Sequence, residues 1–271
     1  MRAVVKNTIA SMRNVPKCDV ALADEVLYGM VVEVLEKTKN GYYKIKTDYN
    51  YEGYLLESDL LLDQTLTNMW EKFSYKRIIQ AYADVLNRPC VQGVLIQGLT
   101  RGAILHEIMQ EEDGWIRVML CDGTIGFTKQ KYLGTYFDRP SGHTEEEFRQ
   151  NIVTTAKSYL GTQYRWGGKT PLGIDCSGLT SICYLLNGVI IYRDAIIKTG
   201  FPVHEIPFKD KKAGDLLFFK GHTAIYLGMN RYIHSTGKNG SDGVVINSLN
   251  PADLDYRDDL AKSIYAAGSI F

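Results

Sequence analysis

Cys176 is the residue of this chain whose setting most favours covalent chemistry. It follows the run Tyr164-Arg165-Trp166-Gly167-Gly168-Lys169-Thr170-Pro171-Leu172-Gly173-Ile174-Asp175, where glycines and a proline crowd the approach. It then opens an apolar helical pattern of Leu179, Ile182, Cys183 and Leu186. A helix N-terminus presents unpaired N–H groups and the positive end of the dipole, both of which favour thiolate over thiol. The same position also suits a small cysteine that only packs beneath the helix. A nucleophile needs a base, and the base needs a third group to orient it. Two histidines stand in strand-like runs, His222 in Gly221-His222-Thr223-Ala224-Ile225-Tyr226 and His234 in Tyr232-Ile233-His234-Ser235-Thr236-Gly237, with a turn at Gly228-Met229-Asn230 between them. If that turn holds three residues, Leu227 faces Arg231, His234 lies opposite Ala224, and the imidazoles are diagonal neighbours on one face. A two-residue turn puts them on opposite faces.

The elements that must position these groups change character near residue 140. Thr144 is placed to cap a helix, with Glu145-Glu146-Glu147 in its first turn, Ile152, Ala156 and Leu160 on one face, and Gly161 at its end. A second helix is expected over 176–186, and strands over 215–219, 223–227, 232–234 and 244–247. Helices on an antiparallel sheet make an α+β domain, here 140–271. Upstream the pattern is β: short runs at 30–35, 42–46, 78–86, 103–110, 115–120 and 125–127 alternate with turn signals such as Lys39-Asn40-Gly41 and Cys121-Asp122-Gly123. A weak internal repeat aligns Gly29, Gly41-Tyr42-Tyr43-Lys44-Ile45 and Gly53-Tyr54-Leu55 with Gly102, Gly114-Trp115-Ile116-Arg117-Val118 and Gly126-Phe127-Thr128. That order resembles the bacterial SH3-like barrel. Two such all-β barrels are expected over 1–64 and 72–138, joined by a connecting segment at 63–72.

Composition narrows the partners. The 271 residues carry 31 Lys+Arg against 31 Asp+Glu, and 45% of them are hydrophobic. Global disorder is excluded by this balance, and the zero formal charge argues against nucleic acid as a partner. No apolar run approaches the roughly 18 residues of a membrane span. Residues 1–19 contain Arg2, Lys6, Arg13 and Lys17 and no apolar core, so a signal peptide is not expected. Five cysteines with no CxxC pair suggest neither a zinc site nor a redox dithiol, so no metal or cofactor is called for, and reduced thiols point to the cytoplasm. Cys18, Cys90, Cys121 and Cys183 are expected to be structural, and His143 and His204 have no supporting context.

The strings Y-R-W-G-G, D-C-S-G, G-D-L-L-F-F, G-H-T-A-I-Y and Y-I-H-S-T-G, in this order, resemble those of the NlpC-type cell-wall peptidases, a papain-like cysteine peptidase family. The resemblance covers about 145–270. It implies Cys176 as nucleophile, His222 as general base, His234 as the group that orients His222, and Tyr164 in the oxyanion region with the Cys176 N–H. The expected architecture is therefore multidomain: two small SH3-like barrels followed by an α+β papain-like peptidase domain.

Members of this family cut amide bonds in peptidoglycan stem peptides. The subgroup with two SH3-like domains resembles the muropeptide-recycling enzymes, which act between γ-D-Glu and a diamino acid in small peptides with a free N-terminal L-Ala. By that resemblance Asp175 and Ser177 bind the amine, although Asp175 also suits a helix N-cap. Trp166 stacks on the peptide, and Asp194, in Tyr192-Arg193-Asp194-Ala195, lies near the pocket. From the first barrel Glu25 and Tyr51, or Asp24 and Tyr49 in a neighbouring register, reach the amine. A cytoplasmic, monomeric endopeptidase is the expectation. An exported autolysin with wall-binding barrels and a wall-fragment binder with a dead site are the competing readings; neutral charge argues against the first, and the intact Cys176, His222 and His234 against the second.

Overall fold

Short runs of alternating polarity become strands throughout the first half, as a side-chain period of two requires. The computed structural model describes residues 1–73 and 75–271. It contains two compact units, Met1–Tyr136 and Phe137–Phe271. In the first unit, β1 (Arg2–Val5), β2 (Ile9–Arg13), β3 (Leu22–Leu27), β4 (Val31–Lys37), β5 (Tyr42–Thr47), β6 (Glu52–Leu56) and β7 (Leu60–Leu61) form a sheet in the order β3-β2-β6-β5-β4-β1-β7. After α1 (Gln64–Trp70), a second sheet follows: β8 (Tyr75–Ile78), β9 (Tyr82–Leu86), β10 (Leu95–Thr100), β11 (Ile104–Gln110), β12 (Trp115–Met119), β13 (Ile125–Lys129) and β14 (Leu133–Thr135). Its order is β10-β9-β13-β12-β11-β8-β14, strand for strand that of the first. The likeness reaches down to irregularities. The β4–β5 ladder slips between Val34 and Glu36, and the β11–β12 ladder slips between Glu107 and Met109, so the repeat-related Leu35 and Ile108 each occupy a bulge.

Three features alter or add to these expectations. The run 78–86 is two strands, because the chain turns after Ile78, where Ile79 N–H donates to Tyr132 O. The connecting segment is helical: the Asp63 carboxylate caps α1 by accepting from Thr65 and Leu66 N–H at 2.8 and 3.0 Å. And the two sheets, in the places of the two expected barrels, lie together in one compact unit. Trp70, buried at the end of α1, donates its indole N–H to Gly29 O at 2.9 Å. Ile104 N–H donates to Tyr28 O at 2.9 Å, and the Tyr28 hydroxyl accepts from Cys121 N–H at 2.9 Å. Gly29 has φ +80°, and a Cβ there would stand 2.4 Å from Ile104 O, so only glycine lets the two sheets approach this closely.

The second unit begins with α2 (Glu145–Lys157). Thr144 accepts from Glu147 N–H while the Glu147 carboxylate accepts from Thr144 N–H, the reciprocal box its sequence suggested. The helix stops at Ser158 and not at Gly161, so Leu160 lies beyond the apolar face and is 48% exposed. After the small hairpin β15 (Lys169–Thr170) and β16 (Gly173–Ile174) comes α3 (Cys176–Leu186). Then β17 (His204–Ile206), β18 (Leu216–Phe219), β19 (His222–Gly228), β20 (Arg231–Thr236), β21 (Gly243–Ser248), α4 (Asp258–Ala261) and β22 (Ile264–Ser269) complete an antiparallel sheet of order β17-β22-β18-β19-β20-β21. Leu217, Phe219, Ala224, Tyr226, Tyr232, Leu260 and Ala267 form one core cluster of this sheet, and α3 packs along β19 and β20. The α3 contact is what brings the cysteine helix to the histidine strands.

Trp70→Ala removes a fully buried indole and orphans Gly29 O. It is expected to destabilise the Met1–Tyr136 unit by about 3–5 kcal/mol, whereas Leu160→Ala changes stability by less than about 0.5 kcal/mol. Urea unfolding of the two variants checks both values; equal stability would show that Trp70 does not tie α1 to the sheet.

Candidate active site

The site is assembled at the N-terminus of α3. Asp175 is extended (φ −92°, ψ −179°), and its Oδ1 accepts from Gly178 N–H at 2.5 Å, which makes it the N-cap of the helix that Cys176 opens. Its Oδ2 accepts from Gly167 N–H at 2.7 Å, fastening the glycine loop beneath the helix end. The fully buried Arg193 lays its guanidinium along the same carboxylate, Nη1 to Oδ1 at 3.1 Å and Nη2 to Oδ2 at 3.2 Å, and Nη1 also donates to Ser177 Oγ at 2.7 Å. Gly178 is required because a Cβ would stand 2.0 Å from Gly168 O. The Asp175 carboxylate is thus occupied by donors of the protein itself, and Ser177 is held beside it.

Cys176 is 7% exposed, and its sulfur receives the backbone N–H groups of Thr223 and Ser177. Thr223 is the chain neighbour of His222, so this contact seats the sulfur at the start of β19. His222 Nε2 lies 2.7 Å from His234 Nδ1, with the rings edge-on at 88°. The hairpin between them contains features of both sequence alternatives. Its turn has two residues, Met229 and Asn230, both at positive φ (47° and 59°), as a type I′ turn requires. Yet Tyr226 pairs with Tyr232 while Gly228 pairs with Arg231, so Leu227 is an extra residue bulged out of the ladder. The bulge restores the register that puts both imidazoles on one face.

Burial decides the protonation states. It pushes the Cys176 thiol up to about 11, with the Asp175 charge adding to the rise and the Thr223 and Ser177 N–H groups and Arg193 opposing it. Burial also drives His222 down to about 3, helped by His234 and Arg257, and His234 down to about 4 against the raising effect of its bond to Asn247. The helix-terminus effect, typically 0.3–1 kcal/mol, is smaller than the several kcal/mol needed to desolvate a charge. The expected thiolate therefore gives way to a neutral thiol beside a neutral imidazole, and the proton moves when substrate is attacked. Tyr164, half-buried with its ring over Gly237, is raised to about 12 by burial and by nearby Cys176 and Asp175, so its hydroxyl stays a hydrogen-bond donor.

Other expected residues are distributed as follows. Trp166 is 67% exposed, free to meet a ligand through its ring. Asp194 is half-buried and hydrogen-bonded with the Tyr192 hydroxyl. Glu25 and Tyr51 belong to the Met1–Tyr136 unit, where Glu25 is buried on β3 and Tyr51 N–H donates to Thr47 Oγ1 at 3.1 Å. Their alternatives, Asp24 and Tyr49, are both buried and bonded to each other, Tyr49 hydroxyl to Asp24 Oδ2 at 2.6 Å. Two residues escaped the sequence reading. Arg193 lies 18 positions from its carboxylate partner, and nothing in the chain marks it. Asn247, whose Oδ1 stands 2.8 Å from His234 Nε2, ends an expected strand, but its role depends on the β20–β21 register, which pairs Tyr232 with Asn247. Among the described residues no cluster of three or more His, Cys, Asp and Glu could hold a metal ion, and no helix is long and apolar enough to cross a membrane.

Because both imidazoles are neutral in the fold but have an ordinary value of 6.5, the unfolded chain binds more protons as pH falls below 6.5. Their contribution to stability is present above that pH and is lost as pH drops toward 4 and 3. Each buried imidazole adds a slope of up to about 1.4 kcal/mol per pH unit. Urea midpoints at pH 7.5 and 4.5 should fall more steeply for the wild type than for His222→Gln; matching slopes would contradict the neutral pair.

Residues 161–257 match the NlpC/P60 family, and residues 12–60 match the family described as the bacterial dipeptidyl-peptidase Sh3 domain. The chain is 44% identical, over 100% of both sequences, to a protein of Lysinibacillus sphaericus named dipeptidyl-peptidase 6. A gamma-D-glutamyl-L-lysine dipeptidyl-peptidase of Bacillus subtilis (strain 168) is 41% identical over 101 residues, covering 33% of each chain. Among solved structures, an NlpC/P60 family protein from Bacillus cereus aligns over 98% of both chains with a TM-score of 0.81 at 20% identity, which shows a shared fold.

Proposed function

Since this chain belongs to the NlpC/P60 family of cysteine peptidases, we propose that it hydrolyses the bond between γ-D-Glu and a diamino acid in short peptidoglycan stem peptides bearing a free N-terminal L-Ala. The observation that carries this reading is the end-to-end likeness to a protein named dipeptidyl-peptidase. An enzyme that releases a dipeptide measures its cut from a free amine, which demands acidic groups at a fixed distance from the nucleophile.

His222 takes the thiol proton as the Cys176 sulfur attacks the γ-carbonyl carbon of D-Glu. The negative charge that develops on the carbonyl oxygen is met by the Cys176 N–H and the Tyr164 hydroxyl. Collapse breaks the C–N bond, with His222 returning the proton to the leaving amine and an acyl-enzyme remaining. Water, deprotonated by His222, then attacks the thioester carbonyl; the C–S bond breaks, His222 returns the proton to the sulfur, and the dipeptide leaves as a carboxylic acid. Arg193 and two backbone N–H groups bond Asp175, which holds the loop and Ser177 in place, and Asp175, Ser177 and Asp194 are the polar groups of this unit assigned to the ammonium. Trp166, exposed on the same unit as Cys176, stacks on the peptide.

The second sheet, with the strand order of the first, is in this reading a second SH3-like domain. Small released peptides as substrates fit a cytoplasmic monomer engaged in muropeptide recycling, for which a chain of zero formal charge is suited.

Incubation with L-Ala-γ-D-Glu-diaminopimelate and with its N-acetylated copy tests the reading. Cleavage of the free-amine peptide is expected, with a loss of at least roughly 100-fold in kcat/KM on acetylation, as expected for a buried charge partner left unpaired. Cys176→Ala should abolish turnover. Equal cleavage of both peptides, or digestion of intact sacculi, would instead indicate a wall hydrolase and sink the proposal.

A further inference from the structure

A neutral imidazole donates through one nitrogen and accepts through the other, so a pair of hydrogen-bonded histidines can run in either direction. Here the direction is set from outside the pair. Asn247 Nδ2 donates to the backbone carbonyl of Asp255 at 2.7 Å. A carbonyl oxygen only accepts, so the Asn247 amide must turn its NH2 toward Asp255 and its oxygen toward His234. With Oδ1 as acceptor at 2.8 Å, His234 Nε2 must carry a proton, which leaves His234 Nδ1 as an acceptor. His222 must then donate through Nε2 across the 2.7 Å contact, and its Nδ1 retains the lone pair.

We propose that Asn247 is a positioning residue that fixes the tautomer of both histidines, so that the nitrogen of His222 left for the Cys176 thiol is an acceptor. The Asp255 carbonyl is the fixed reference of this chain. Arg231, on the same strand as His234, grips the Asp255 carboxylate with a fork, Nη1 to Oδ1 at 3.0 Å and Nη2 to Oδ2 at 2.6 Å, and Ser248 N–H donates to the same carbonyl oxygen at 3.4 Å. Reversing the chain would set two N–H donors or two lone pairs face to face in a buried site. It would also turn the second nitrogen of His222 into an N–H, with no lone pair to take the thiol proton. The charged groups that act on the pair are Arg257 and Asp259, bonded to each other at 2.7 and 2.6 Å, with Lys238 Nζ 3.7 Å from Asp259. Their opposite signs leave the hydrogen bonds to decide the direction.

Asn247's role depends on the thiol chemistry of Cys176 and not on which peptide is cut, so the test avoids the peptide. In the full chain at pH 7, imidazole 15N spectra should show His222 and His234 protonated at Nε2. In Asn247→Leu, similar in size but without an acceptor, His222 should carry its proton on Nδ1. Alkylation of Cys176 by iodoacetamide should then slow by 10- to 100-fold. Asn247→Asp presents an oxygen to His234 in either of its own protonation states, so it should keep the Nε2–H tautomers and bring the alkylation rate back to within about fivefold of wild type. Nε2–H tautomers with an unchanged rate in the Leu variant would overturn the proposal. So would an equal loss of rate in the Leu and Asp variants, which would assign Asn247 a purely structural role. Loss of peptide cleavage with a normal alkylation response would leave this role intact and count against the substrate reading alone.

Discussion

One carboxylate governs the catalytic unit. Asp175 accepts from the N–H groups of Gly167 and Gly178 and from both terminal nitrogens of Arg193, so a loop, a helix end and a distant segment converge on its two oxygens. Each bond is charge-assisted and shielded from water, where removing one partner strands the others. Cys176 follows in sequence and inherits its position from that anchor. The glycines of the loop have the same cause: at Gly178 no side chain fits between the helix and Gly168 O.

Enclosing the site this tightly has a chemical effect. Water exclusion strengthens hydrogen bonds and weakens isolated charges, so cysteine and both histidines rest uncharged. An uncharged site cannot rely on attraction between a thiolate and an imidazolium to align its groups. Alignment falls to directional bonds instead: the Thr223 and Ser177 N–H groups at the sulfur, and the His222–His234–Asn247 line behind the base. Neutrality at rest and rigidity thus come from the same burial.

Much of this was legible in the sequence. The cap at Thr144, the start of α3 at Cys176 and the β-runs around both histidines follow from local residue chemistry, which acts over a few positions. The repeat of glycines at 29, 41 and 53 with those at 102, 114 and 126 foretold two sheets of equal strand order. What escaped has partners far along the chain. The merger of both sheets into one unit hangs on Trp70 and on Tyr28 meeting Cys121, 93 residues away. Asn247 acquires meaning only once β20 and β21 are in register. The thiolate expectation failed for a different reason: a dipole is visible in a sequence, whereas the desolvation that outweighs it depends on three-dimensional burial.

The bulge at Leu227 makes the hairpin between the histidines sensitive to length and indifferent to much of its chemistry. Met229 projects almost wholly into solvent and could be replaced by many residues that tolerate its backbone angles. A single residue inserted or deleted between Tyr226 and Tyr232 would, however, rotate one imidazole to the far side of the sheet while leaving every strand hydrophobic enough to fold. Over evolutionary time this loop can therefore drift in composition but not in count, and a gap there in a related sequence would mark a chain that keeps the fold and has lost the base's partner.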